Sequence, residues 1–154
     1  MPREYPSSPV VGVGAVIVKD GCVLLIQRGN EPNRGCWSIP GGVVELGETL
    51  AEAARREVRE ECGLEVEAQD VLSTYDLIQR DAHGRIRYHY VLLDLRARYV
   101  SGKAIPSTDA LDVRWVAKAE LERMDLIPRL LPILRKALRQ PQPPESGDPA
   151  SSQA

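Results

Sequence analysis

One segment of the chain carries helix signals at both of its ends. Thr49 and Glu52 form a capping box at its start, and Gly63 supplies a stop at its end. The preceding segments look like strands, because β-branched residues fill Val10 to Lys19 and a hairpin turn leads into Cys22 to Arg28. The sequence therefore predicts an α/β or α+β domain in which one well-bounded helix lies among strands.

The rest of the chain adds further elements of the same kind. Periodicity and turn residues predict four more strands and a second amphipathic helix. The strands are Trp37 to Ile39, Glu65 to Leu77, Ile86 to Tyr99 and Asp112 to Val116, and the helix is Leu126 to Leu138. We expect one domain over residues 9–139, a flexible lead-in over residues 1–8, and a disordered tail over residues 140–154, which is rich in Pro, Ser, Gly and Gln.

The first helix, from Leu50 to Cys62, has an unusual distribution of charge. Its apolar side begins with Leu50, Ala53 and Ala54, and its solvated side is taken by Glu52, Arg55 and Arg59. Glu57, Glu60 and Glu61 then occupy the side that the apolar residues began. A run of charges is usually a solvated face, but here that face is already filled. The three glutamates are therefore candidate site residues.

These glutamates have the properties of a cation site. Carboxylates at i, i+3 and i+4 of a helix are neighbours and repel one another, and the helix C-terminal end itself favours positive charge. Carboxylate oxygens at this density suit Mg²⁺ or Mn²⁺ rather than zinc. The Gly41-Gly42 pair before the helix lets the backbone approach a ligand closely, although most such pairs are only turns.

The same residues resemble the Nudix box, G-x5-E-x7-R-E-U-x-E-E-x-G-U, where U is a bulky aliphatic residue. Every fixed position is matched at the right spacing, over 23 residues, by Gly42, Glu48, Arg56, Glu57, Val58, Glu60, Glu61, Gly63 and Leu64. The likeness extends over about residues 10–138, through the Leu24 to Arg28 strand, the Trp37 to Gly42 approach and the Val113 to Val116 strand. The chain thus resembles Nudix hydrolases, and the resemblance implies an α/β/α sandwich with a mixed, curved sheet between helices.

The resemblance also implies roles. Glu57, Glu60 and Glu61 match the metal-binding glutamates, and the Gly42 backbone matches a further ligand position. Glu48 and Arg56 match a pair that orients the helix. The reaction implied is Mg²⁺-dependent hydrolysis of a nucleoside diphosphate linked to a second group, most closely ADP-ribose or a related sugar. Two alternatives stay open: a MutT-type nucleoside triphosphate pyrophosphohydrolase, and a non-catalytic domain that senses a nucleotide.

Several other residues are candidates with competing interpretations. Arg28, at the end of a strand, could hold a phosphate or be a surface arginine. Glu45 and Asp109 are candidates for an extra metal ligand or base, and the competing interpretation is that both are ordinary solvated side chains. Tyr75, Tyr88, Tyr90 and Trp37 could stack on a base, but packing is the favoured interpretation for each one, while His83 and His89 are interpreted as loop and strand residues. Gly12 and Gly14 lack the third glycine of a dinucleotide fingerprint and are not interpreted as a site.

Charge and cysteine content limit the partners. The formal net charge is −2, so no broad attraction to nucleic acid or to an anionic membrane is expected. No apolar run is long enough for a membrane span or signal segment. The three cysteines are widely spaced, which favours reduced thiols and a cytoplasmic protein. We expect a small nucleotide as the partner, and a homodimer is left open.

Overall fold

A computed structural model describes residues 3–139 of the chain. The tail that the sequence predicts to be disordered, residues 140–154, lies outside the described residues. Within the described part, the chain forms strands β1 (Val10–Lys19), β2 (Cys22–Arg28), β3 (Trp37–Ser38), β4 (Gly41–Val43), β5 (Glu65–Arg80), β6 (Ile86–Ser101) and β7 (Ala110–Ala117). The helices are α1 (Leu50–Cys62), a 3₁₀ helix (Lys118–Arg123) and α2 (Leu130–Arg139).

The sheet is mixed and open, and β1 lies at its centre. β1 runs parallel to β6 and antiparallel to β2 and β4, while β5 extends the sheet beyond β6 as a long antiparallel hairpin. β2 pairs with β1 only at its first residues, and it then pairs with β3 and β7. β4 therefore takes the free edge of β1 where β2 has diverged from it.

The two helices cover opposite faces of this sheet. Along β1, Val16 and Val18 pack in a cluster with Leu130 and Leu134 of α2. The alternate residues, Ala15 and Ile17, pack with Val58 and Cys62 of α1. β1 is thus buried on both faces, which explains its continuous apolar sequence. The α/β/α sandwich is confirmed.

The second helix begins later than the sequence predicts. The expected start at Leu126 is wrong: Trp37 donates its N–H to the Asp125 carbonyl at 2.7 Å and accepts one from Ile127 at 3.0 Å, so this segment is extended beside β3. Ile127 precedes a proline, which disfavours helical backbone at that position. The helix begins at Leu130, and Arg129 lies just outside it.

No helix of the described residues is both long enough and apolar enough to cross a membrane.

Candidate active site

α1 brings its glutamates to the sheet. The capping box of Thr49 and Glu52 and the left-handed Gly63 are both present, so the helix begins and ends where its sequence predicts. Glu57 lies among the buried residues of the helix and is only 7% exposed. Glu61 follows one turn later and is half-buried. Glu60 departs from the expectation, because its side chain is 60% exposed and thus lies towards solvent.

The Gly41-Gly42 strand lies directly against these carboxylates. β4 pairs with β1 so that Gly42 stands opposite Val13, on the α1 face of the sheet. A Cβ at Gly42 would lie 2.3 Å from the Glu57 carboxylate carbon, so only glycine lets this carboxylate lie on the strand. The N–H of Gly41 donates to the Glu61 carboxylate. The glycine pair therefore fixes the position of both glutamates.

Arg56 links Glu57 and Glu60 to the segment before the helix. Its Nε donates to Glu48 at 2.7 Å, its Nη2 to the Val43 carbonyl at 3.0 Å, and its Nη1 to Glu57 at 2.8 Å and Glu60 at 3.3 Å. The hydrogen bond from Arg56 lowers the pKa of Glu48 to about 2, and the pKa of Arg56 is raised in turn. Arg56 and Glu48 thus hold the helix and its carboxylates without occupying the cavity.

Glu61 has a buried carboxylate whose hydrogen bonding is incomplete. Burial raises the pKa of Glu61 to about 8, and the nearby charge of Glu57 adds to this rise. Burial also raises the pKa of Glu57, against the lowering effect of Arg56. The Oε2 of Glu61 is buried and has no hydrogen-bond partner. A buried carboxylate oxygen without a donor is costly, and a bound cation would satisfy it.

The residues fit a divalent cation as an open site. Among residues 3–139, no three acidic, histidine or cysteine side chains lie together so that they could hold a metal ion by themselves. Glu57 and Glu61 supply carboxylate oxygens beside the Gly41-Gly42 backbone, and Glu60 adjoins them with its contact to Arg56. Oxygen ligands of this kind suit Mg²⁺ or Mn²⁺, and Mg²⁺ commonly keeps several waters.

A cavity of about 480 Å³ opens beside Glu61 on the α2 side of the sheet. Its floor includes Gly12 and Gly14 of β1, and its wall includes Arg28. Three of the four aromatic candidates, Tyr75, Tyr88 and Tyr90, line it, whereas Trp37 is buried in the core. A second groove, of about 610 Å³, lies on the solvated side of α1, beside Glu52 and Arg55. That groove contains none of the clustered glutamates, so we take the cavity beside Glu61 as the candidate site.

Of the remaining candidates, only Arg28 lines this cavity. The Nε of Arg28 donates to the Pro32 carbonyl at 2.9 Å, which fixes the arginine in the cavity wall. Glu45 is largely exposed and lies 3.9 Å from Arg56. Asp109 accepts the Gly29 N–H at 3.1 Å through its carbonyl, in the loop that follows β6. Neither Glu45 nor Asp109 lines the cavity.

Two features of the cavity are not evident from the sequence motifs. Gly12 and Gly14 form part of its floor, although their pattern gives no reason to expect a site. Asp94 and Arg129 form an ion pair in its wall at 2.8 Å. A charged residue in the middle of an apolar strand could have indicated Asp94, but no local pattern joins it to a residue 35 positions away.

Comparison with known proteins agrees with this geometry. The sequence profile of the NUDIX domain matches residues 8–140. The chain is 37% identical over 107 residues to a Methanocaldococcus jannaschii protein named ADP-ribose pyrophosphatase, covering 70% of this chain and 61% of that protein. It is 34% identical over 127 residues to a MutT-like protein of Streptomyces ambofaciens, covering 80% and 75%. The crystal structure of a MutT NUDIX hydrolase from Burkholderia pseudomallei superposes with a TM-score of 0.69 and 33% identity, over 88% of this chain and 100% of that one.

The match to the Methanocaldococcus jannaschii protein covers less than two thirds of that protein's length. The profile match contains all the strands and helices described above and the clustered glutamates.

Proposed function

Because this chain belongs to the NUDIX domain family, we propose that it is a hydrolase that cleaves the diphosphate bond of a nucleoside diphosphate linked to a second group. ADP-ribose or a related nucleoside diphosphate sugar is the substrate that we favour. One observation carries the proposal: Glu61, with a buried carboxylate oxygen that lacks a partner, lines a cavity beside the Gly41-Gly42 backbone. The site therefore joins a cation-binding group to a space for the two ends of the substrate.

The clustered carboxylates would hold the cation. We assign this role to Glu57 and Glu61, with Glu60 and the Gly42 carbonyl as further ligands. A bound divalent cation supplies the charge that neutralises diphosphate oxygens and lowers the pKa of the attacking water. Arg56 orients Glu57 by its 2.8 Å hydrogen bond, and Glu48 holds Arg56.

The other groups of the site align the substrate. Arg28 lines the cavity and has guanidinium nitrogens beyond the Nε that donates to Pro32, so we assign to it the role of holding a phosphate. A carboxylate of the glutamate cluster accepts the proton of the attacking water. In-line phosphoryl transfer needs mainly alignment and charge stabilisation, and this arrangement supplies both. The free cysteines are consistent with a reducing compartment, so we place the activity in the cytoplasm.

Two alternatives have their own support. The names of the Streptomyces and Burkholderia relatives favour a MutT-type nucleoside triphosphate pyrophosphohydrolase. A triphosphate lacks a distal sugar, and it would forfeit contacts on that side of the cavity, which lowers kcat/KM. A non-catalytic nucleotide sensor is the alternative of another class. The full set of box glutamates favours the enzyme over the sensor.

A screen of nucleotide derivatives separates the three functions. With Mg²⁺ or Mn²⁺, ADP-ribose should yield AMP and ribose 5-phosphate, and oxygen from labelled water should enter one of them. Release of pyrophosphate from a nucleoside triphosphate, with kcat/KM about tenfold above that of any nucleoside diphosphate sugar, would replace our proposal by the MutT-type function. Binding of nucleotides without turnover of any of them would indicate the sensor.

A further inference from the structure

The cavity runs across four strands, and its two ends differ in chemistry. At the level of Gly12 and Gly14, the strand order is β4, β1, β6 and β5. Neighbouring strands are spaced by about 4.8 Å, so the cavity floor extends for roughly 14 Å from β4 to β5. The β4 end contains Glu61 and the glycine pair. The opposite part of the cavity contains Asp94 of β6, Tyr75 of β5 and Arg129 from the segment before α2, and the proposed function gives these residues no role.

Asp94 and Arg129 form a buried, two-pronged ion pair. Asp94 is only 1% exposed, and its two carboxylate oxygens accept hydrogen bonds from Arg129 Nη1 at 2.8 Å and Nη2 at 3.4 Å. The pair lies close to β1, since a Cβ at Gly14 would be 2.8 Å from the Asp94 carboxylate. A carboxylate at this depth is tolerated only when it is paired, and the pair faces the cavity.

Arg129 is also stacked on Tyr75. The guanidinium carbon lies 5.2 Å from the centre of the Tyr75 ring, and Tyr75 is 44% exposed. Asp94 takes two of the guanidinium N–H groups, and an arginine has five. With Tyr75 on one of its faces, the planar group keeps its other face and its remaining N–H donors for a ligand. Tyr75, Leu77 and their partners on β6 continue this apolar, aromatic surface along the cavity.

We propose that Tyr75 and Arg129 form the nucleobase subsite of this cavity, and that Asp94 is the positioning residue that holds the guanidinium flat. The inference rests on the proposed function, and it adds which residues contact the base. The ion pair is neutral as a whole, so this end of the cavity suits a neutral planar group better than a phosphate. Nucleobases stack on tyrosine rings and on guanidinium planes. The phosphates then lie towards Arg28 and the glutamates.

The competing explanation is that the ion pair only anchors the segment before α2 to the sheet. The two roles differ in which ligand they affect. A base subsite affects only ligands that have a base, whereas a displaced segment weakens the whole cavity. The probes are therefore α,β-methylene-ADP and methylenediphosphonate, in which a carbon bridge replaces the bridging oxygen between the two phosphorus atoms. Binding of both is measured by calorimetry on the full chain with Mg²⁺, so no turnover is required.

Three variants test the three residues. In Tyr75→Leu and Arg129→Lys the dissociation constant of α,β-methylene-ADP should rise by about tenfold or more, since stacking is lost. Asp94→Asn should give the same change by releasing the guanidinium. Methylenediphosphonate should bind each variant as it binds the parent protein. The matched control is Arg114→Lys, because Arg114 also stacks on an aromatic ring at 5.2 Å and pairs with an aspartate at 3.1 Å, but outside the cavity.

The outcomes separate the explanations. Equal weakening of both ligands in Arg129→Lys and Asp94→Asn would mean that the pair anchors the segment, and it would overturn the proposal. Unchanged binding of α,β-methylene-ADP in Tyr75→Leu would also overturn the proposal, because this variant removes the stacking ring. An equal effect in the Arg114→Lys control would also refute it. If the expected pattern is found but ADP-ribose is not cleaved, the base subsite stands and only the proposed substrate fails.

Discussion

Gly42→Ala tests the contact on which the site geometry depends. The added Cβ would lie 2.3 Å from the Glu57 carboxylate, whereas ordinary contact begins at 3.4 Å, so the carboxylate must retreat by about 1 Å. That movement also strains the 2.8 Å hydrogen bond from Arg56. A misplacement of about 1 Å in a catalytic group can lower a rate by roughly 100-fold. We therefore expect kcat to fall by about 100-fold, because Glu57 no longer holds the cation in place.

The assay is steady-state turnover of the best substrate at saturating Mg²⁺, together with a thermal melt. Gly84→Ala is the control, since Gly84 has a φ of +80° in the β5–β6 turn and no atom would lie within 4 Å of its Cβ. It should lower stability by roughly 1 kcal/mol and leave kcat unchanged. A Gly42→Ala protein that keeps its kcat within about twofold would refute the reasoning, because Glu57 would then not depend on this glycine.

Three further predictions concern the metal, the helix and the tail. Hydrolysis should stop in EDTA and return with Mg²⁺ or Mn²⁺, and undiminished turnover in chelator would exclude the proposed mechanism. Glu61→Gln should lower kcat by about 100-fold or more with little loss in melting temperature, since it removes a proposed ligand and also relieves carboxylate repulsion. Glu52→Gln, on the solvated side, should keep kcat and cost at most about 1 kcal/mol of capping; equal kinetic losses in the two variants would contradict the assigned helix faces. Truncation after Gln140 should keep both activity and melting temperature, and a large drop in either would show that the tail contributes to the domain.

The local signals of the sequence predicted the local structure well. The capping box and Gly63 gave both ends of α1, because each end is fixed by hydrogen bonds within a few residues. The β-branched residues of Val10 to Lys19 predicted a strand, and the bounds of β1 are as expected. β5 begins at Glu65 as predicted, but it extends to Arg80, beyond the predicted end at Leu77.

Features that depend on tertiary contacts could not be predicted from local sequence signals. β4 was missed because three residues become a strand only through pairing with β1. Glu60 is the exception, since its contact with Arg56 is an i, i+4 pair of α1 that the helix spacing itself indicates. Gly12 and Gly14 acquire their importance from what β6 and Ile39 place above them. The same holds for Asp94 and Arg129, which no local pattern connects.

The parallel pairing of β1 with β6 also affects when the site can form. Val10 pairs with Tyr90 and Val18 with Arg98, so about 80 residues of chain separate the partners. Closing so long a loop costs conformational entropy before any contact compensates for it, and folds dominated by such contacts form slowly. During synthesis, β1, β4 and α1 all emerge before β6, so the strands that hold the glutamates lack the parallel neighbour of β1 until β6 arrives. Substitutions in β6 should therefore slow the appearance of activity in refolding more than substitutions in α1, even where the final activity is the same.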